Sequence, residues 1–223
     1  MVNVTEAIQT RYSTRAFLDK PVERSLLESI VTKALQSPSG GNIQPWHVHV
    51  IRGDSMAAFK ACIDKEVADQ SKGESPEYLV YPPKLKEPYR SRRYKCGEDL
   101  YLSIGIDRDN KSARLRQFAN NYRFFGAPAA FMFTIDRVMN QPQFSDLGMF
   151  IMNTMLLARE VGLDTCGQES WAVWHRVISN FLKLPPEHMV FCGLAIGYAD
   201  KSHPINGWRT ERVLPGEVVT WHE

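Results

Sequence analysis

Cysteine is scarce in this sequence and unpaired. Cys62, Cys96, Cys166 and Cys192 lie far apart and spell no Cys-x-x-Cys, which excludes a zinc ribbon and a dithiol redox motif. Of the histidines, His47 and His49 share a strand face if the segment is extended, but no third ligand is near in sequence, so no metal is expected. Long apolar runs are missing too. The longest, Met149 to Val161, is broken by Asn153, Arg159 and Glu160 and falls short of the roughly twenty apolar residues a membrane span needs. The segment Met1 to Phe17 holds nothing like a signal peptide, so a soluble, cytoplasmic protein is expected. Charge of one sign is not in excess: 27 basic against 25 acidic residues give a net +2, no field to attract nucleic acid or an anionic membrane. The same balance speaks against a basic interaction module built on Arg90 to Lys95. Neither Gly-x-Gly-x-x-Gly nor Gly-x-x-x-x-Gly-Lys-Ser/Thr occurs, which disfavours a Rossmann site and a P-loop. If a nucleotide binds, another device holds its phosphate.

What is present fits one domain over residues 1–223, of which 43% are hydrophobic. Asn3 is placed to cap a first helix, with Glu6 three residues on. Pro21 reads as the opening of a second helix, in which Leu26, Leu27, Ile30, Val31, Ala34 and Leu35 recur at helical spacing. His47 to Arg52 reads as a strand, and Ser55 to about Gln70 as a helix. From about 71 to 117 the chain turns polar, basic and proline-rich, so a packed core element is not expected there, and the stretch reads as a lid-like excursion. Ala129 to Ile135 predicts a buried strand, and Ser145 caps a helix running to about Val161 that is apolar on nearly every face. A helix covered on all sides is most simply explained by packing against its counterpart in a second subunit, a central helix within one subunit being the competing account. Another helix follows Trp171, and Met189 to Tyr198 forms a last strong strand. The tail from Ala199 shows no core pattern, but Val218, Val219 and Trp221 suggest a short strand that needs an outside edge.

Arg11, Ser13 and Arg15 at one end and Arg209 and Arg212 at the other have the alternating cations and hydroxyl that clamp a phosphate. Taken singly, such arginines are also what a solvated surface carries. The loop Ser37 to Trp46, with Pro38, Ser39, Gly40 and Asn42, is equally readable as a turn, since these residue types are what turns require.

As an ordered set these residues resemble the FMN-dependent nitroreductase family. Arg11-Tyr12-Ser13-Thr14-Arg15 matches its amino-terminal Arg-x-Ser-x-Arg/Lys segment, and Ser37 to Trp46 its Ser-Pro-Ser-x-x-Asn-x-Gln-Pro-Trp loop. Asn120 to Pro128 looks like its segment before the central strand. Cys166 to Trp171 resembles its loop beside the flavin's reactive edge, with Gly167 where relatives often have proline, and Arg209 to Arg212 resembles its basic tail.

The resemblance implies an α+β fold, a mixed central β-sheet flanked by helices, in an intertwined homodimer with FMN at the subunit interface. It assigns Arg11, Tyr12, Ser13, Arg15, Arg209 and Arg212 to the phosphate and polar edge of the flavin, and Pro38, Ser39, Gly40 and Asn42 to a loop lent by one subunit. Asn120 and Arg123 fall near the pyrimidine ring. Gln168, Glu169 and Ser170 offer a backbone amide to the reactive nitrogen, so the Glu169 side chain is not required. The flavin carries the hydride chemistry and no catalytic acid or base is obligatory. NADH or NADPH and a small-molecule electron acceptor, nitroaromatic or quinone-like, would share one pocket in ping-pong order. Tyr89, Arg92, Arg93 and Arg108 in the excursion supply rings and cations for the acceptor, although a solvated lid face fits them equally. The alternatives are a flavin-binding carrier or sensor without turnover, and a dehalogenating or flavin-consuming relative on the same fold.

Overall fold

The strand Ala129–Asp136 explains most of the architecture, because all but its last residue are buried and both of its faces must be covered. In a computed structural model, which describes residues 2–69 and 73–223, the elements follow in this order. They are α1 (Val4–Thr10), α2 (Arg24–Ala34), β1 (His47–Arg52), α3 (Asp54–Asp69), α4 (Tyr89–Leu102), α5 (Lys111–Ala119), β2 (Ala129–Asp136), α6 (Gln141–Glu160), β3 (Asp164–Gln168), α7 (His175–Leu182) and β4 (His188–Gly197). The strands form one sheet in the order β1-β2-β4-β3, antiparallel throughout. The parallel component of the sheet, among the described residues, is the single bridge Ser13–Thr165 at the β3 edge.

Alternation decides which layer each side chain joins. Phe131, Phe133 and Ile135 of β2 face α2 and α6, while Ala130 and Met132 face α3 and α7. α2 meets the first layer with Leu27, Ile30 and Ala34, and α6 with Leu147, Phe150, Ile151, Thr154 and Ala158, both at helical spacing. The second layer centres on Trp171, fully buried, with Phe124 at 4.6 Å and Phe59 at 5.4 Å between ring centroids. Gly193 of β4 is required under that indole, since a Cβ there would stand 2.4 Å from Trp171 Cδ1. Opposite the Phe133–Thr134 step the register shifts and leaves Phe191 unpaired as a bulge. Its freed carbonyl accepts from the Tyr78 hydroxyl.

β1, β2 and β4 lie within a residue or two of where the sequence predicts them, and Asn3 accepts from Glu6 N–H at 2.9 Å. Other expectations need correction. α2 begins at Arg24 rather than Pro21, because Leu18 N–H donates to Tyr198 O and holds the preceding chain extended. α6 begins at Gln141, not at Ser145: Asn140 and Gln143 form a capping box, Asn140 N–H donating to Gln143 Oε1 at 3.2 Å. α6 is also not covered all round within this chain, since Met149 and Met152 remain 41% and 36% exposed. The helix expected from Ser55 begins at Asp54, and its expected end at Gln70 and the start of the excursion lie outside the described residues.

The excursion does hold regular structure, in the helices α4 and α5, but neither buries a residue. Glu98 and Arg114 join the two by a bidentate pair at 2.7 and 2.8 Å. The tail forms no strand: Val218, Val219 and Trp221 are exposed, with only a short 3-10 turn before them at Pro215–Glu217. The beginning of that tail does join the core, through buried Ala199, Ile205 and Asn206. No helix among the described residues is long and apolar enough to cross a membrane.

Candidate functional site

Two ends of the chain meet at the free edge of β3. Thr14 N–H donates to Thr165 O at 3.0 Å, which lays the Arg11–Arg15 segment along that edge. Buried Asn206 then clips the far end of the chain to the same segment. Its Oδ1 accepts from Arg15 N–H at 2.9 Å, and its Nδ2 donates to Ala16 O at 2.7 Å and Asp200 O at 2.8 Å. The polypeptide beyond Asn206 therefore starts beside Arg15. Arg209 lies over the Tyr12 ring at 3.7 Å and donates to Asn206 O at 2.6 Å.

Guanidiniums gather at this edge. Among the described residues none of Arg11, Arg15, Arg209 and Arg212 belongs to an ion pair, whereas Arg92, Arg114, Arg123, Arg137 and Arg159 do. Burial, and then the charge of Arg212, push Arg11 below its usual range. A guanidinium keeps its proton under such pressure, so the repulsion persists until an anion relieves it. Cys166 lies buried beneath this group, and burial drives its thiol upward against the opposing influence of Arg15, Ser13 and Arg11. Tyr101 of α4 reaches the same field: burial raises its phenol, while Arg114 and Arg15 oppose the shift.

β3 ends in the segment that closes the site. Gln168, buried, donates through Nε2 to Asn121 O at 2.7 Å and accepts from Trp171 Nε1 at 3.4 Å. Its side chain is thus structural, which ties β3 to the 3-10 segment Asn120–Gly126. That segment is strained, with Phe124 and Phe125 at φ 52° and 53°. The Ser170 hydroxyl is buried with no partner, as are those of Thr14 and Thr165. Glu169 stands close enough to Tyr78 and Cys192 to add to the burial that holds both groups protonated.

The remaining expected residues fall elsewhere. The loop of Pro38, Ser39, Gly40 and Asn42 is pinned to α6: Gly40 N–H donates to Asp146 Oδ2 at 3.2 Å, and Asn153 Nδ2 to Ser37 Oγ at 2.7 Å. Gly41, Asn42 and Gln44 all adopt positive φ, and Gly40 to Gln44 are exposed. Asn120 caps α5, its Nδ2 donating to Gln117 Oε1. Arg123 spends its guanidinium on Asp64 of α3, at 3.0 and 3.1 Å. Of the excursion residues, Arg92 pairs with Glu217 at 3.3 Å, Arg93 lies over the Tyr81 ring and Arg108 over that of Tyr94, while Tyr89 is exposed at the start of α4.

Two features were not read from the sequence. Asn206 gave no signal, since an isolated Ile-Asn in a polar tail has no periodicity. A third imidazole joins His47 and His49, which do share a face of β1. The His188 ring lies 4.1 Å from that of His47, and Thr134 Oγ1 lies 3.3 Å from His49 Nε2 and 3.4 Å from His188 Nδ1.

Comparison with known proteins identifies the family of the chain. The family model described as Nitroreductase family matches residues 8–198. The chain is 34% identical over 221 residues to the nitrobenzene nitroreductase of Ectopseudomonas oleovorans, covering 99% of this chain and 97% of that protein. It is 36% identical to the 4-nitrobenzoate reductase of Pseudomonas putida, over 93% and 90% of the two chains. Among solved structures, the FMN and NADPH-dependent nitroreductase NfnB from Sphigopyxis sp. strain HMH superposes with a TM-score of 0.96 at 42% identity, over 99% of each chain.

Proposed function

The chain belongs to the nitroreductase family, and on that premise we propose that it is an FMN-dependent oxidoreductase. In this reading it takes electrons from NADH or NADPH and passes them to a nitroaromatic or quinone-like acceptor. The observation that carries the reading is the group of guanidiniums gathered at the β3 edge with no ion-pair partner among the described residues, where a phosphate would offset the charge that Arg212 sets against half-buried Arg11. The names of the relatives support the acceptor class and the nicotinamide donor.

The residues present suit the cofactor. Arg11 and Arg212, with Arg209 braced on Tyr12, would hold the phosphate, and Ser13 and Arg15 would hold the polar edge of the ring system. Bound FMN supplies the hydride-transfer chemistry, so the chain needs no obligatory acid or base. Its own task is electrostatic. Arg15 would provide a positive charge that favours an anionic ring, and a backbone amide of Gln168 to Ser170, in a segment that the Gln168–Asn121 bond holds in place, would offer a hydrogen bond. One pocket then serves donor and acceptor in turn, which gives ping-pong kinetics and makes inhibitors of either substrate compete with both.

A second copy of the chain completes the site in this reading. The Ser39 to Asn42 loop, exposed from Gly40 on, is fastened to α6 and carries no hydrogen bond to its own clamp among the described residues. The uncovered Met149 and Met152 on α6 and the unpaired tail at Val218, Val219 and Trp221 are further surfaces that a homodimer would cover.

The test is an anaerobic stopped-flow titration of the FMN-loaded protein. Rapid bleaching by NADH or NADPH, reoxidation by a nitroaromatic and parallel double-reciprocal plots are expected. Bound flavin that neither nicotinamide reduces would overturn the enzymatic reading. Intersecting plots would overturn the shared pocket.

A further inference from the structure

The tail that leaves Asn206 runs back along α4, and between them lies a cleft of about 530 Å³. Arg92, Arg93, Lys95, Trp208 and Arg212 are among its lining residues. The cleft adjoins the clamp, since Arg212 belongs to both. Two of its cations are already paired, and in each case the partner comes from the tail. Arg92 Nη2 meets Glu217 Oε2 at 3.3 Å, and Lys95 Nζ meets Glu211 Oε1 at 3.0 Å. Lys95 also holds Asp99 of its own helix.

We propose that this cleft is an anion subsite kept in reserve by the chain's own carboxylates, so that a carboxylate-bearing aromatic ligand enters by displacing Glu217 and Glu211 from Arg92 and Lys95. One ligand carboxylate takes the place of two glutamates on the same cations, Lys95 keeping Asp99, and the released glutamates pass into water. Its cost is low because all four side chains are largely exposed, with Glu211 at 74% and Glu217 at 52%, and exposed pairs contribute little. What the tail cannot reproduce is a ring. A ligand ring gains Trp208 and the guanidinium of Arg93, both of which line the cleft. A neutral aromatic ligand meets the same apolar surface without displacing anything. Glu211 and Glu217 are therefore specificity-determining residues that lower the affinity for acids and leave that for neutral ligands alone.

This proposal rests on the reading that the adjoining site takes aromatic acceptors, but its test does not use turnover. The full-length, FMN-loaded protein is titrated calorimetrically with benzoate and with benzamide, neither of which carries a nitro group to be reduced. The doubly substituted Glu211→Gln, Glu217→Gln protein is expected to bind benzoate roughly three- to tenfold more tightly than the unaltered protein, the loss of two exposed competing pairs. Benzamide affinity is expected to stay the same, and adding Arg92→Gln is expected to abolish the gain. Equal benzoate affinities, a parallel gain for benzamide, a gain that survives Arg92→Gln, or no benzoate binding in any variant would each overturn the proposal. A protein that shows the benzoate pattern yet is not reduced by nicotinamides would separate the two claims, leaving the anion subsite standing and the enzymatic reading refuted.

Discussion

The sheet with its flanking layers and the helical pair α4–α5 are neighbours in one chain but are held by different forces. In the sheet, β2 and β4 are buried almost throughout and the second layer closes on fully buried Trp171 and Trp174. In the excursion no residue of either helix is buried, and the fastenings are charges: Glu98 to Arg114, Arg92 to Glu217 and Lys95 to Asp99 and Glu211. Burial is insensitive to salt and intolerant of altered shape, while exposed ion pairs are the reverse. The difference assigns the two regions their work. The frame holds the Arg11–Arg15 segment at the β3 edge, and the pair of helices can be altered at its charges without emptying the core.

The largest effect expected from this contrast is in the frame. Trp171→Ala should cost about 3–5 kcal/mol, as removal of a fully buried aromatic ring does, seen as a lowered urea midpoint. A loss below about 1 kcal/mol would break the claim that this layer closes on that ring. Next comes Arg11→Ala, expected to weaken FMN binding roughly 10- to 100-fold, one charged hydrogen-bonded contact being worth about 1.5–3 kcal/mol. Because burial and then the charge of Arg212 both disfavour the Arg11 cation, the urea midpoint of the cofactor-free protein should not fall. If it falls as FMN affinity does, Arg11 is structural.

A smaller effect separates the regions by pH. Burial first, and then the neighbouring imidazoles, push His47 and His49 below the usual range, with Asp136 opposing at His47. The folded protein thus binds fewer protons than the unfolded chain, and the stability these residues allow is present above pH about 6.5 and lost as pH falls through that value. Thermal unfolding followed from pH 7.5 to 5.5 should show this loss, and His47→Gln with His49→Gln should flatten it. An unchanged slope would exclude the cluster as its source. The smallest effect on global stability belongs to Glu98→Gln. It should leave the urea midpoint nearly unaltered while amide exchange across α4 and α5 accelerates, and raised salt should imitate it. Exchange that accelerates equally in the sheet would erase the distinction between the two regions.

The same contrast explains what could be read early. Ala129 to Ile135 and Met189 to Tyr198 announce themselves because burial on both faces demands an unbroken apolar run. α4 was missed as a helix because Tyr-Arg-Ser-Arg-Arg-Tyr-Lys carries no apolar stripe, and the pairs that hold it come from residues 16 and 125 positions away. The start of α6 is a different kind of miss. Asn140 and Gln143 stood at capping-box spacing, but Ser145 lay closer to the apolar run. In the candidate site, the Arg11–Arg15 and Arg209–Arg212 segments stand out in the sequence as clusters of cations, whereas Asn206, which hydrogen-bonds Arg15 and Arg209, does not.

The sequence by itself determined the local elements and the chemical character of the site, because periodicity, caps and motif spacing act over a few residues and are written in order along the chain. Only the tertiary structure decided which distant groups would meet: Arg11 with Arg212, His47 with His188, Lys95 with Glu211. Those meetings depend on the strand order β1-β2-β4-β3 and on the path of a tail with no apolar pattern of its own. The strand order leaves no mark at any single position, since it is settled by the packing of the whole sheet, and the tail's path turns on Asn206, whose role only its buried hydrogen bonds reveal.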